Sequence, residues 1–314
     1  MRIGILTFHR ALNVGAILQA YASVKLLEGL GHEAFLLDYR CPAIELERLP
    51  WRHDRQWARH EPLSYAVKYL PLALAQNSRQ KAFDAFIAAS LPIAPLSAID
   101  SFDYIFIGSD QVWNPALTGG ADPYYCGAFS CRAPKIAWAA SAGRADALPE
   151  GLSDGRFAAI SVRESTLAQR LPGSTLLTDP TLMVSPEEWF ALAPPSDNGY
   201  VLAYAIQEEE KTLAAARQAA REASLPLKII PRTATWRHPF DHSGPLSFLS
   251  LIAGASHVIT SSFHGSAFAR IYGKPLTITV KEGADERLDQ LRRLQDLEKL
   301  RSDALTFLHQ FSLA

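Results

Sequence analysis

The chain has 314 residues, of which 48% are apolar and 20% charged, with a net charge of −1. That length exceeds what one core usually holds, so two domains are expected, and the balanced charge excludes the global basic field that draws proteins to nucleic acid. Cys41, Cys126 and Cys131 form no C-x-x-C pair, which indicates neither a disulfide framework nor a zinc site and suits a reducing, cytoplasmic setting.

Arg2 to Phe8 reads as a buried parallel strand, too short for a signal-peptide core. The loop from His9 to Asn13 leads into a helix through about Leu30, with Ile17, Leu18, Tyr21, Val24 and Leu27 at helical spacing and Gly31 as its stop. Glu33 to Tyr39 reads as the second strand, a βαβ start that implies a parallel sheet with helices on its faces. Residues 45–90 differ in character. Arg48, Arg52, Arg55, Arg59, Lys68, Arg79 and Lys81 meet only Asp54 and Glu61 across 48–81, with Trp51, Trp57, Tyr65 and Tyr69 interleaved. This segment reads as a mostly helical insertion on the first domain. Its basic face is either solvated or a peripheral contact with anionic lipid or a lipid-linked substrate, which would place the protein at the inner face of the membrane. No apolar run approaches the roughly 18–20 residues of a membrane span.

Strand-like runs return at 104–107, 135–139, 158–162 and 175–177, each ending in small, polar or charged residues. Ser185 and Pro186 look like an N-cap and first helical position. Pro194 to Gly199 is dense in turn formers and reads as a linker. A second alternation follows: strand 200–205, helix 208–224, strand 227–230, helix 244–253, strand 256–260, a helix after His264 and strand 276–280. The expected fold is α/β, with two Rossmann-like domains over 1–193 and 200–314 facing a cleft. Ligands of open α/β sheets bind at the carboxyl ends of strands, so strand-end residues are the site candidates.

Thr260 to Ser266 stands out among them. A strand that ends in small hydroxyl residues, His264 and Gly265, then opens a helix, builds an anion site. The N–H groups and dipole of the helix start favour negative charge, and the histidine can give or take a proton near neutral pH. Asn13 and Gly15 form either a capped tight turn or a ligand-facing loop, and the isolated glycine lacks the dinucleotide fingerprint, although Asp38 ends the second strand. The turn Gly108-Ser109-Asp110-Gln111-Val112-Trp113-Asn114 is read as a sugar site, with Trp113 stacking on the sugar and the polar residues binding hydroxyls. Ser141 ends a strand in small residues that suit close packing or ligand approach equally. Arg163 and Glu164 are either an edge ion pair or, for Arg163, a bidentate grip on carboxylate or phosphate. Thr178-Asp179-Pro180-Thr181 reads as a structural turn, and His53, His60, His238 and His242 show no metal-ligand spacing.

In this order, Asn13-Val14-Gly15-Ala16-Ile17-Leu18-Gln19-Ala20-Tyr21-Ala22, Gly108 to Pro115, Val162-Arg163-Glu164, Asp179-Pro180-Thr181-Leu182 and Ser262-Phe263-His264-Gly265 resemble the polysaccharide pyruvyl transferase family. Arg287 followed by Leu288, Leu291 and Leu294 is similar to that family's C-terminal stretch. The resemblance implies a glycosyltransferase-B-like pair of domains. It also implies transfer of a pyruvyl group from phosphoenolpyruvate onto two hydroxyls of a sugar in a glycan or lipid-linked oligosaccharide. Phosphoenolpyruvate would be a donor substrate, with no cofactor and no metal. His264 matches the histidine proposed as the acid, with Arg163 beside it in the catalytic set. Arg163, Ser262, Gly265, Ser266 and Arg287 would hold the donor. Asn13, Gly15, Ser109, Asp110, Gln111, Trp113, Asn114 and Ser141 would hold the acceptor.

There is one departure. Some members carry Arg-Leu-His where this chain has Ser262-Phe263-His264. Phosphate binding would then fall to Ser262, Ser266, backbone N–H groups, or an arginine elsewhere such as Arg163 or Arg287. A nucleotide-sugar glycosyltransferase of similar architecture and a non-catalytic glycan-binding protein are the competing readings.

Overall fold

Parallel strands need long crossovers, and helices fill them in this chain. The computed structural model describes residues 1–48, 62–143, 148–206, 209–230, 244–294 and 296–311, with side chains throughout these ranges except at 47 and 62–75. The chain divides into two units. Met1–Arg48, Ile87–Val184 and Gln295–Ala314 form the first; Leu49–Phe86 and Ser185–Leu294 form the second.

The first unit holds β1 (Arg2–Leu6), β2 (Glu33–Leu37), β3 (Ile93–Ala94), β4 (Tyr104–Ile107), β5 (Lys135–Ala140), β6 (Ala159–Val162) and β7 (Thr175–Leu176). Their order is β3-β2-β1-β4-β5-β6-β7, and every neighbouring pair is parallel. The winding reverses between β1 and β4, so the loops after these two strands flank the switch point where α/β sheets bind ligands. Between β1 and β2 runs α1 (Val14–Gly29), which is buried around most of its circumference because Ala16, Ala20 and Ala22 pack as well as Ile17, Leu18, Val24 and Leu27. Gly31 ends it as expected, at φ 83°, a conformation that costs glycine little.

The second unit holds β8 (Val201–Tyr204), β9 (Leu227–Ile230), β10 (His257–Thr260) and β11 (Leu276–Ile278), in the all-parallel order β11-β10-β8-β9. Here the winding reverses between β8 and β10. Thr260 pairs in register with Tyr204, which sets the ends of both strands side by side. Two parallel Rossmann-like sheets therefore match the α/β expectation.

The boundaries differ from 1–193 and 200–314, and side-chain packing is the reason. Helix 186–192 (Pro186–Leu192) belongs to the second unit: Trp189 meets Phe268 edge-on at 4.8 Å, and the Tyr272 hydroxyl donates to the carbonyls of Trp189 and Ala193. The unit boundary thus precedes this helix instead of falling in the turn at 194–199. The last helix, Leu297–His309, returns to the first unit, where Phe307 packs on Trp138 at 6.1 Å and Phe311 on Tyr104 at 6.0 Å. The insertion is helical over α2 (Pro42–Arg48) and α3 (Pro62–Ser90), but most of α3 groups with the second unit, not the first. A Cβ on Gly244 would lie 2.8 Å from that of Ala82, so glycine is what lets the two segments approach. The expected solvated basic face is interrupted: Arg48 is buried, donating to the Arg10 carbonyl, and Arg79 is half-buried. Trp51, Arg52, His53, Asp54, Arg55, Trp57, Arg59, His60, Glu61, His238 and His242 lie outside the described residues.

Candidate active site

The strand ends of the first unit form one polar network. The Thr7 hydroxyl, just past β1, donates to the Ser109 carbonyl at 3.2 Å and accepts from Gln19 at 2.7 Å, tying together the two loops that flank the switch point. Asp110 sits at φ 63°, a left-handed conformation that aspartate tolerates better than most residues, and its side chain accepts from the Gln111 N–H at 2.9 Å. Ser141 N–H donates to the Asp110 carbonyl at 3.0 Å, and Trp113 N–H to the Ser141 carbonyl at 3.1 Å, so the turns after β4 and β5 are laced together. Asn114 donates to Gln111 at 2.8 Å, and both lie against Gly143, where a Cβ would come within 2.3 Å of the Gln111 oxygen. Gln111 and Asn114 are half-buried and therefore reachable. Asn13 caps α1, accepting from the N–H groups of Gly15 and Ala16 at 2.9 and 3.4 Å; the turn reading holds, and the exposed side chain also borders the switch point.

Arg163, at the end of β6, is 1% exposed. Its guanidinium lies 2.9 Å from Asp179 and 3.8 Å from Asp110. The fork thus faces carboxylates of its own unit. Glu164 accepts from the Ser141 hydroxyl. Asp179, read as structural, is structural in a specific way: it caps the turn Pro180–Leu182, accepting from the Thr181 N–H at 2.9 Å, and anchors Arg163.

Three residues expected at the acceptor lie inside the core instead. Trp113 is 0% exposed, its indole N–H donates to the Tyr125 carbonyl at 2.9 Å and its ring packs near Phe157 at 5.9 Å. A ring with both faces in the core has none left for a sugar. Ser109 is also fully buried, and its hydroxyl donates to the Ala139 carbonyl at 3.1 Å. Ser141 is likewise 0% exposed and committed to Glu164.

Sequence reasoning passed over His9 and Asp38 as a pair. His9 is buried, with Nδ1 3.2 Å from the Thr7 carbonyl and Nε2 3.4 Å from Asp38. Burial pushes His9 below the usual imidazole range, against the opposing pull of Thr7 and Asp38. Burial pushes Asp38 up, but Arg40 and His9 outweigh it and hold the carboxyl below its usual range. Asp38 thus serves a histidine and an arginine.

In the second unit the turn from Thr260 to Ser266 is built hydrogen bond by hydrogen bond. Thr260 donates to the Tyr204 carbonyl at 2.6 Å and accepts from the Ser262 N–H at 3.0 Å. Ser262 is the N-cap of the helix Phe263–Ile271 and accepts from the Gly265 N–H at 3.3 Å. The Ile206 N–H donates to Ser261 at 3.0 Å, fastening the loop after β8 to the loop after β10 across the switch point. Glycine is required at 265, where a Cβ would meet the Thr260 hydroxyl at 2.6 Å and the Tyr204 ring at 2.9 Å. Ser266 is buried and its hydroxyl donates back to the Ser262 carbonyl at 2.9 Å, so it shapes the turn rather than facing outward. His264, in the first helical turn, is half-buried, its ring edge-on to Phe263 at 5.1 Å.

Arg287 is drawn to the same place, its guanidinium 5.9 Å from the Phe263 ring centre. Its fork is engaged by Asp285, with contacts of 3.1 and 2.9 Å. Burial pushes the Asp285 carboxyl up, but Arg287 more than offsets this and holds it below its usual range. Asp285 and Tyr204 were not singled out from sequence, though both carry a signal: one caps a helix two residues before Arg287, and the other ends a strand. Among the described residues no cluster of three or more His, Cys, Asp or Glu could hold a metal ion, and no helix is long and apolar enough to cross a membrane.

Three solved structures can be set beside the chain. Two are of UDP-GlcNAc 2-epimerase from Methanocaldococcus jannaschii, one of them in complex with UDP-GlcNAc and UDP. Each is 10% identical over 98% of this chain and 100% of the other, with TM-scores of 0.45 for the complex and 0.42 for the other structure. The glycosyltransferase SnogD from Streptomyces nogalater is 15% identical over 99% of this chain and 95% of the other, at a TM-score of 0.37. Scores this low carry no structural argument. None of the curated proteins matches the chain by sequence. The sequence model of one family matches residues 13–278, a span that contains both strand-end networks. The chain belongs to the polysaccharide pyruvyl transferase family.

Proposed function

We propose that this transferase moves the enolpyruvyl group of phosphoenolpyruvate onto two hydroxyls of one sugar in a glycan or lipid-linked acceptor, forming a cyclic pyruvate ketal during synthesis of a cell-surface or exopolysaccharide. The observation that carries the reading is His264, half-buried in the first turn of a helix whose cap, Ser262, is locked by Thr260 and Tyr204. A proton donor and an anion-favouring helix end then occupy one turn.

The chemistry assigns each group a task. A vinyl phosphate becomes electrophilic at C2 only when C3 is protonated. His264 as imidazolium protonates C3, converting the methylene to a methyl group, and one acceptor hydroxyl adds to C2. The C2–O bond to phosphate breaks, and the second hydroxyl attacks C2 to close the ketal. One hydroxyl proton restores His264 and the other leaves with inorganic phosphate. Gln111, Asn114 and Asn13 orient the acceptor hydroxyls, while Arg163 acts through Asp110 as a positioning residue. Glu209 and Glu210 open the helix after β8, a poor start for a nucleotide pyrophosphate and a point against sugar-nucleotide transfer. The protein would work in the cytoplasm.

The test is incubation with phosphoenolpyruvate and a panel of galactosides, mannosides and glucosides, following phosphate release and the ketal methyl signal by NMR. Product with sugar nucleotides but none with phosphoenolpyruvate would overturn the proposal.

A further inference from the structure

The helix start at Ser262 has no arginine next to it in the chain, while Arg163 pairs with Asp179 and Asp110 and Arg287 with Asp285. A further arginine, on the insertion helix, interacts with Tyr204, the residue that flanks this turn. Arg79, Phe83 and Phe86 lie at i, i+4 and i+7 on α3, one face of the helix, and Phe83 and Phe86 are 0% and 3% exposed. The Arg79 guanidinium sits 5.4 Å from the Phe83 ring centre, a cation–π contact that holds it in place. Ala82, on the next position around, packs against Gly244 at the start of the helix Pro245–Ala253. That helix presents Phe248 to Tyr204, ring centres 5.1 Å apart. Tyr204 closes the path: it lies within the electrostatic reach of Arg79, it is hydrogen-bonded to Ser262, and its ring lies against Gly265. Burial pushes the Tyr204 phenol up to about 12, so the ring beside Arg79 is neutral at physiological pH.

We propose that Arg79 is the donor-binding arginine of this chain, its guanidinium placed by Phe83 and Tyr204 to neutralise a phosphate at the Ser262 helix start. The insertion helix then serves the site in the second unit, and Arg79 is not part of a lipid-facing basic stripe. This assignment rests on the reading of that turn as a phosphoryl-donor site. Arginine suits the task better than lysine because its planar fork meets two phosphate oxygens at once.

The test separates the assignment from the reading. Inorganic phosphate binding is measured by calorimetry on the full chain, wild type against Arg79→Gln and Arg79→Lys, beside steady-state kinetics with phosphoenolpyruvate. Removing one charge-assisted contact should weaken phosphate binding by about tenfold to a hundredfold in the glutamine variant, with a smaller loss for lysine. The KM for phosphoenolpyruvate should rise in parallel. Phosphate should also protect Arg79 of the wild-type protein from a dicarbonyl arginine reagent, read by peptide mass spectrometry, so the outcome does not depend on any variant folding. Phosphate-sensitive labelling and weakened binding without phosphoenolpyruvate turnover would uphold the assignment and remove the donor reading. Unchanged phosphate affinity in a folded glutamine variant, or labelling indifferent to phosphate, would overturn the assignment.

Discussion

Arg163 and Asp179 form an ion pair of 2.9 Å with side chains 1% and 0% exposed. The pair joins the end of β6 to the turn Pro180–Leu182, and the same guanidinium lies 3.8 Å from Asp110 in the turn after β4. Removing one of two ions withdrawn from water leaves the other buried with less to compensate its lost hydration.

Breaking that pair should therefore cost more than deleting it. Asp179→Leu is expected to lower stability by about 3–5 kcal/mol, and Arg163→Met with Asp179→Leu to restore a large part of the loss. Urea unfolding of the two single variants and the double variant measures this. Additive losses would contradict the coupling.

His264→Gln should reduce turnover by about 10²–10⁴-fold, the usual contribution of a positioned acid. The ring is half-buried, so thermal unfolding should move by only a few degrees. Phosphate release at the wild-type rate would exclude His264 from proton transfer.

Gly265→Ala tests the closeness of the turn. The added methyl group would meet Thr260 and Tyr204 at 2.6 and 2.9 Å. Overpacking of this kind costs about 1–3 kcal/mol and would displace the His264 turn, so activity should fall further than stability alone explains. A fully active alanine variant would show that the strand ends can part.

Trp113→Phe should lower stability by about 1–3 kcal/mol through the lost bond to Tyr125 and the smaller ring. Its effect on the acceptor KM should be small, since no face of Trp113 reaches solvent. A large rise in acceptor KM at unchanged stability would return Trp113 to the acceptor site.

The buried His9 makes stability depend on pH in one direction. Its folded-state affinity for protons lies below the ordinary value of 6.5 because burial disfavours the imidazolium. As pH falls below that value the unfolded chain takes up a proton that the folded protein refuses, so stability should decline with acidification and level off once the folded ring also protonates. Denaturant midpoints between pH 7.5 and 5 should show the decline, and His9→Gln should flatten it. An equal slope in both proteins would assign the dependence to other groups.

The strands and the turn chemistry were legible in the residues alone. Mostly apolar runs followed by glycine, serine or arginine marked β4, β5, β6 and β10 to within a residue or two, because strands covered on both faces are apolar along most of their length. The cap at Ser262 and the structural turn at Asp179 were likewise local, set by side chains reaching backbone only two or three residues away.

The direction each side chain faces, and the segment it meets, came from packing between elements. Trp113 looked like a sugar platform until the Tyr125 carbonyl and Phe157 claimed it for the core. Arg163 looked like a free fork until Asp179, Asp110 and the sheet buried it. Arg79 read as one charge in a basic run, yet Phe83 and Phe86 one and two turns along the helix turn its face inward toward Tyr204. Periodicity fixes the spacing of residues along an element, but burial and pairing depend on partners that lie on other elements of the fold, and no local pattern encodes those.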